Sequence, residues 1–232
     1  MMPRTQASVA AATDVEVWFA DLDACLGQIE VWERDILSDE ERRRADRIFE
    51  PSVRMRFVTA RSILRHLLGE RLGLDPASLV FAYGPFGKPR LAAAGHGELH
   101  FNLSHADRWG LLAISSTGRV GVDLERYQDI PEWEDMALAC FPSEVRDQLD
   151  ALPESERANA FVRSWTHREA ILKAIGWGWA GSALRCRAPF APGLVVHDLP
   201  PPVGYAAAIA HGNPGAQLVV HFWTARSGSE TA

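Results

Sequence analysis

Polar and apolar residues alternate along Asp14-Val15-Glu16-Val17-Trp18-Phe19-Ala20, which predicts a half-buried strand. The period then lengthens. Ser38 with Glu41 three positions on forms a capping-box signature that opens a charged helix over residues 38–50, and Pro51 breaks it. From Arg54 to Leu72 the apolar positions Phe57, Ile63, Leu64, Leu67 and Leu68 make one helical stripe, with Arg54, Arg56, Arg61 and Arg65 expected elsewhere on the surface. Short β-like runs at 79–83 and 98–103 flank the turn Gly84-Pro85-Phe86-Gly87-Lys88-Pro89. Residues 110–115 and 119–125 predict a hairpin around Ser116-Thr117-Gly118.

The second half restates this scheme. Helices are expected near 132–140 and 143–151, then a helix holding Glu169, then strands near 193–197, 204–210 and 217–224; Arg226 to Ala232 reads as a polar, frayed tail. Strands and helices joined by hairpins predict an α+β fold and do not suit a doubly wound parallel sheet. The two successions suggest two similar α/β lobes, 1–117 and 118–232, within one compact chain.

Composition narrows the class. Of 232 residues, 47% are apolar and 23% charged, an ordinary balance for a soluble protein with a sizeable core. The net charge of −6 argues against a general nucleic-acid binder. Asp14, Asp21, Asp23 and Glu30 interrupt the early apolar residues, so neither a membrane span nor a secretory signal is expected. Cys25, Cys140 and Cys186 are far apart without metal-ligand spacing, and read as reduced thiols of a cytoplasmic protein.

Three carboxylates carry the chemical signal. Asp123 and Glu125 in Gly121-Val122-Asp123-Leu124-Glu125 share one face of a strand, with Val122 and Leu124 on the other. Glu169 lies on a helix, four residues before Lys173 and four after Trp165, which turns it partly inward. Acids converging from two rigid elements repel unless a cation sits between them, and a hard divalent ion with substrate phosphates is the usual occupant. The plainer alternatives stay open here: a solvated acidic strand face, and a surface ion pair of Glu169 with Lys173.

Around them, Ser104 and His105 in Phe101-Asn102-Leu103-Ser104-His105 offer phosphate donors, or the segment is merely a turn capped by Asn102. A hydrolase triad is not indicated: Ser104 and His105 point apart on an extended segment, and no Gly-x-Ser-x-Gly elbow is present. Gly87-Lys88-Pro89-Arg90 sets two cations beside a rigid turn. Lys88, Arg90, Arg56 and His105 read either as a local phosphate-binding patch or as solvated loop charge. Trp177 and Trp179 suit docking or ring stacking, and Phe141 with Trp177 marks a guess for a partner surface.

Taken in order, Gly87-Lys88-Pro89, Phe101-Asn102-Leu103-Ser104-His105, Gly121-Val122-Asp123-Leu124-Glu125 and Trp165-Thr166-x-Arg168-Glu169-Ala170-x-x-Lys173-x-x-Gly176-x-Gly178 resemble the 4′-phosphopantetheinyl transferases of the surfactin-synthetase-activating group. The resemblance covers most of residues 38–180. Arg168 stands where that family commonly has Lys, and Ala106 replaces a small polar residue.

The resemblance implies two α/β halves in pseudo-twofold arrangement, usually a monomer, with coenzyme A between them. It implies transfer of the 4′-phosphopantetheine arm to a serine of an apo acyl or peptidyl carrier protein. By motif, Asp123, Glu125 and Glu169 match the ligands of Mg²⁺ (Mn²⁺ being the alternative ion). Arg56, Lys88, Ser104 and His105 match coenzyme contacts, the neighbouring Gly87, Pro89, Arg90 and Asn102 are expected to join them, and Lys173 matches a pyrophosphate clamp. Glu169, Asp123 and Lys173 are thus the expected catalytic set; Arg42, Arg43 and Arg44 match the family's basic helix only loosely. A silent coenzyme A or nucleotide-binding module and a metal-dependent phosphoesterase are the competing classes.

Overall fold

In the computed structural model, which describes residues 14–92, 99–128, 130–177 and 191–224, the alternation at the start of the chain becomes strand β1 (Val15–Asp21). Its Val15, Val17 and Phe19 are fully buried on one face. Next come a 3₁₀ turn (Leu22–Gln28) and helices α1 (Ile29–Asp35), α2 (Asp39–Ala45) and α3 (Pro51–Leu72). Strands β2 (Phe81–Tyr83), β3 (Pro89–Leu91), β4 (His100–Ala106), β5 (Trp109–Ser115) and β6 (Val120–Arg126) follow. The chain continues through α4 (Trp133–Cys140), α5 (Ser143–Asp150), α6 (Glu154–Ile175), β7 (Val195–Asp198), β8 (Tyr205–His211) and β9 (Leu218–Trp223).

The first sheet runs β4-β5-β1-β9 and another β6-β8-β7, while β2 and β3 pair by themselves. Strand β1 is antiparallel to β5 and parallel to β9. Ile63, Leu64 and Leu68 of α3 pack with Phe101, Leu112 and Ile114 on one face of the first sheet. The opposite face meets the second sheet, where Val17, Phe19 and Leu111 contact the cluster of Val122, Leu124 and Ile209. Each such side chain contributes about 1.5–3 kcal/mol on full burial. Ala170 and Ala174 of α6 pack on Ala208 and Ala210, across the far side of the second sheet. The layers are therefore helix, sheet, sheet, helix, a mixed α+β fold.

Two expectations need correction. The predicted 110–115/119–125 hairpin does not form: β5 pairs with β4 and β1, whereas β6 pairs with β8 in the other sheet. Ser116-Thr117-Gly118, with Gly118 at φ +145, is a crossing between sheets. The hairpin is instead β4–β5, closed through Asp107 at φ +48. The division at residue 117 falls at this crossing, but β9 returns to the first sheet. Of the cysteines, Cys25 is a buried free thiol, while Cys140 is disulfide-bonded, against the expectation of reduced thiols. No helix among the described residues is long and apolar enough to cross a membrane.

Arg61 and Arg65 are also not surface residues. The predicted capping box forms at Ser38, and Glu41 within it is buried between the two guanidiniums, with Nε–O distances of 2.7 Å to each. Burial alone would raise the Glu41 carboxyl, but Arg61 and Arg65 outweigh it and hold it below the usual carboxylate range. Glu41→Gln strands two buried cations and should cost about 3–5 kcal/mol, read as a lowered urea midpoint. An unchanged midpoint would show that the pair holds nothing.

Candidate active site

The site is built where β6 lies against α6. Val122 and Leu124 face the core between the sheets, so alternation turns Gly121, Asp123 and Glu125 to the other side. A Cβ on Gly121 would stand 2.2 Å from both Ala170 O and Ala174 N. Only a bare backbone permits this approach, and it brings a strand carboxylate within reach of a helix ammonium.

Asp123 is 2% exposed. Its Oδ1 lies 2.5 Å from Lys173 Nζ and accepts from Ser104 Oγ at 3.1 Å, while Lys173 also donates to Ser104 Oγ at 2.8 Å. The three residues close a triangle between β4, β6 and α6. Asn102 does not cap a turn; its Oδ1 accepts from Val122 N at 2.8 Å and ties β4 to β6 beside that triangle. Glu169 is 3% exposed, one turn before Lys173 on α6.

All of these open onto one cavity of about 610 Å³. Asp123, Glu125, Glu169 and Lys173 line one part, with Ser104 and His105 from β4 and the Gly87–Pro89 turn beside them. Arg44, Arg47 and Arg61 supply a basic wall. The Arg44 guanidinium sits 5.8 Å from the Phe57 ring centre and 5.7 Å from that of Tyr83, a preorganised cation. Of the loosely matched Arg42, Arg43 and Arg44, only Arg44 reaches the cavity, and Arg47, two residues past the end of α2, joins it without having been singled out by motif.

The expected basic patch is not assembled as predicted. Arg56 is engaged by Asp23 through bonds of 2.8 and 2.9 Å and is not on the cavity wall. Arg90 lies exposed on β3, also away from it. Lys88 lines the cavity, but its ammonium donates to the carbonyls of Val120, Lys173 and Ala174 at 2.7–3.0 Å. Burial, with Arg119 adding, presses Lys88 down to about 8. Phe141 is buried in the α4–α6 core and unavailable for docking. Trp177 leans on Phe86 at 5.4 Å, and Trp179 and the tail from Arg226 lie outside the described residues.

His105 is open to the cleft yet walled by protein. Burial, then Lys173 and Arg56, lower its pKa below the ordinary 6.5. The ring should therefore be neutral at physiological pH, a donor through one nitrogen. The unfolded chain binds a proton that the folded chain refuses, so this group removes stability as pH falls through 6.5. A nuclear magnetic resonance titration of His105 should give a midpoint below 6.5; one above it would contradict this environment.

The donor set can be tested for a metal. No three His, Cys, Asp or Glu side chains among the described residues form a ready-made cage. Mg²⁺, however, is commonly held by one or two carboxylates plus substrate phosphates. The carboxylates on this cavity are all hard oxygen donors, and Asp123 Oδ2 is buried without a hydrogen-bond partner. The residues fit such an ion.

A family model described as the 4′-phosphopantetheinyl transferase superfamily matches residues 119–192. The chain is similar to the 4′-phosphopantetheinyl transferase HetI of Nostoc sp., 35% identical over 77% of this chain and 76% of that protein. It is similar to the 4′-phosphopantetheinyl transferase of Bacillus subtilis, 30% identical over 61% of each chain. The transferase AcpT of Escherichia coli K12 is 34% identical over 53% of this chain and 58% of its own. Against the last two the chain spans less than two thirds of the relative's length.

Proposed function

The chain belongs to the 4′-phosphopantetheinyl transferase superfamily, and from there we propose that it moves the 4′-phosphopantetheine arm of coenzyme A onto a serine of an apo acyl or peptidyl carrier protein. Adenosine 3′,5′-bisphosphate is the other product. The observation that carries this is the Asp123–Lys173 pair at the β6–α6 contact, its carboxylate buried and its ammonium part-exposed, sharing a cavity with Glu169 and a basic wall. That cavity suits a dianionic pyrophosphate with a nucleotide at its basic end.

Asp123, Glu125 and Glu169 would hold Mg²⁺, or Mn²⁺, which when bound neutralises pyrophosphate charge. Glu169 takes the proton of the carrier serine. The serine oxygen then bonds to the phosphorus that bears the pantetheine arm, and the bond from that phosphorus to the bridging oxygen breaks. Its electrons leave with the 5′-phosphate of adenosine 3′,5′-bisphosphate. Lys173, already beside Asp123 and Ser104, supplies positive charge to the departing phosphate. Ser104, His105 and the Gly87–Pro89 backbone position the coenzyme. No nucleophile is required of this chain, because the attacking hydroxyl belongs to the carrier.

We further read the chain as a member of the surfactin-synthetase-activating group, a monomeric cytoplasmic enzyme with two related lobes about the cleft. The order of its motifs supports that placement. Incubation with coenzyme A, Mg²⁺ and a panel of apo carriers, followed by intact-mass spectrometry, tests the reaction. One phosphopantetheine should be gained per carrier. Coenzyme A cleavage without a carrier would indicate a phosphoesterase, and binding without turnover a silent module.

A further inference from the structure

Lys88 is buried in an uncommon manner. An ammonium offers only three protons, and here each has a backbone acceptor: Val120 O at 2.8 Å, Lys173 O at 2.7 Å and Ala174 O at 3.0 Å. No proton remains for a ligand phosphate. Its ion pairing is with no carboxylate among the described residues. Compensation comes from the last turn of α6, at the negative end of the helix dipole, where Lys173 O accepts from Lys88 as well as from Gly176 N at 3.2 Å.

The acceptors also say what is being held. Val120 opens β6, three residues before Asp123. Lys173 and Ala174 lie in the final turn of α6, which ends at Gly176 in the left-handed conformation. Lys88 itself comes from the turn between β2 and β3, which borders the cavity. One side chain therefore ties that turn, the strand bearing Asp123 and the helix bearing Lys173. The bond to Lys173 O falls on the same residue whose side chain meets Asp123 and Ser104.

We propose that Lys88 is a positioning residue, setting the Lys173 ammonium against Asp123 through the α6 backbone, and that it does not read a coenzyme phosphate. Gly87, Lys88 and Pro89 all border the cavity, but the Lys88 ammonium is directed to the three carbonyls. The effect should fall on turnover rather than on recognition of the 3′-phosphate. This inference rests on reading Lys173 as the pyrophosphate clamp.

The test compares wild type, Lys88→Met and Lys88→Arg with coenzyme A and with 3′-dephospho-coenzyme A. Lys88→Met should lower kcat roughly 10- to 100-fold, the scale of a small misplacement of a catalytic group. The ratio of kcat/KM for the two coenzymes should stay within about twofold of wild type. Lys88→Arg, which retains charge and donors, should restore part of kcat. Amide exchange at Gly176 and Trp177, whose N–H groups close the end of α6, should quicken in Lys88→Met. A rise in KM confined to coenzyme A, with 3′-dephospho-coenzyme A unaffected, would overturn the proposal, as would unchanged kcat and exchange.

If Lys88→Met does not fold, Lys88→Arg still decides through the coenzyme ratio. Should wild type modify no carrier at all, calorimetric binding of the two coenzymes and amide exchange remain as readouts. Coenzyme A binding that weakens in Lys88→Met while 3′-dephospho-coenzyme A binding does not would sink the proposal independently of the transferase reading.

Discussion

Asp123→Ala should abolish transfer, lowering kcat by roughly 10³-fold, the scale seen when one preorganised electrostatic group is lost, while the protein stays folded. The carboxylate is the meeting point of the site: Lys173 and Ser104 both bond its Oδ1, and its Oδ2 is the buried oxygen left for a cation. Its loss is not a loss of apolar packing. Lys173 is 22% exposed and keeps Ser104 as a partner, so its ammonium can rehydrate. The melting temperature should therefore move by no more than about 5 °C. Intact-mass assay of the carrier with circular dichroism melting checks both halves. Activity retained at saturating Mg²⁺ would remove Asp123 from the mechanism.

Gly121→Ala should have the opposite profile, a large loss of stability from one methyl group. The added carbon would lie 2.2 Å from two backbone atoms of α6, neither of which can rotate away. Helix and strand must part, at a cost of about 3 kcal/mol or more, or roughly 10 °C in melting temperature. Because Asp123 and Lys173 meet across this contact, activity should fall even at temperatures where the variant is folded. Gly84→Ala is the control: its Cβ would rest 3.7 Å from Lys88 O, an ordinary contact. Equal melting of the two variants would refute the close-packing account.

What could be read from the chain was what depends on neighbours. The period of two along 121–125 placed Asp123 opposite Val122 and Leu124, and the structure puts those apolar residues between the sheets and Asp123 against α6. The capping box at Ser38 and the spacing of Glu169 and Lys173 are equally local. The stripe of α3 was legible too, since Ile63, Leu64 and Leu68 enter the core.

The failures share a cause: partners distant along the chain. Arg61 and Arg65 look like surface charges until Glu41, 20 and 24 residues earlier, is brought beside them. Lys88 beside a proline turn looks like solvated loop charge or a phosphate contact, and nothing nearby announces the three carbonyls, 32, 85 and 86 residues on, that its ammonium meets. Ser-Thr-Gly between two β-like runs signals a reversal or a crossing equally well. Which one occurs depends on the strand that waits on the other side, and β8 takes β6 into the second sheet.

The place of β1 has a consequence for how the cleft comes into being. Its neighbour β9 supplies Leu218 opposite Val15, and Gln217 N bonds Asp14 Oδ2 across a separation of 203 residues. Contacts of that span form late, because the closing entropy precedes any reward. Until β9 arrives, Trp18 and Phe19 sit on a strand with one bare edge, an invitation to wrong pairing. The sheet that carries Ser104 and His105 and the sheet that carries Asp123 bury their facing sides in one cluster, Val17, Phe19 and Leu111 against Val122, Leu124 and Ile209. Half of this cleft should not exist as a stable species, and opening one sheet should melt the other in a single cooperative step.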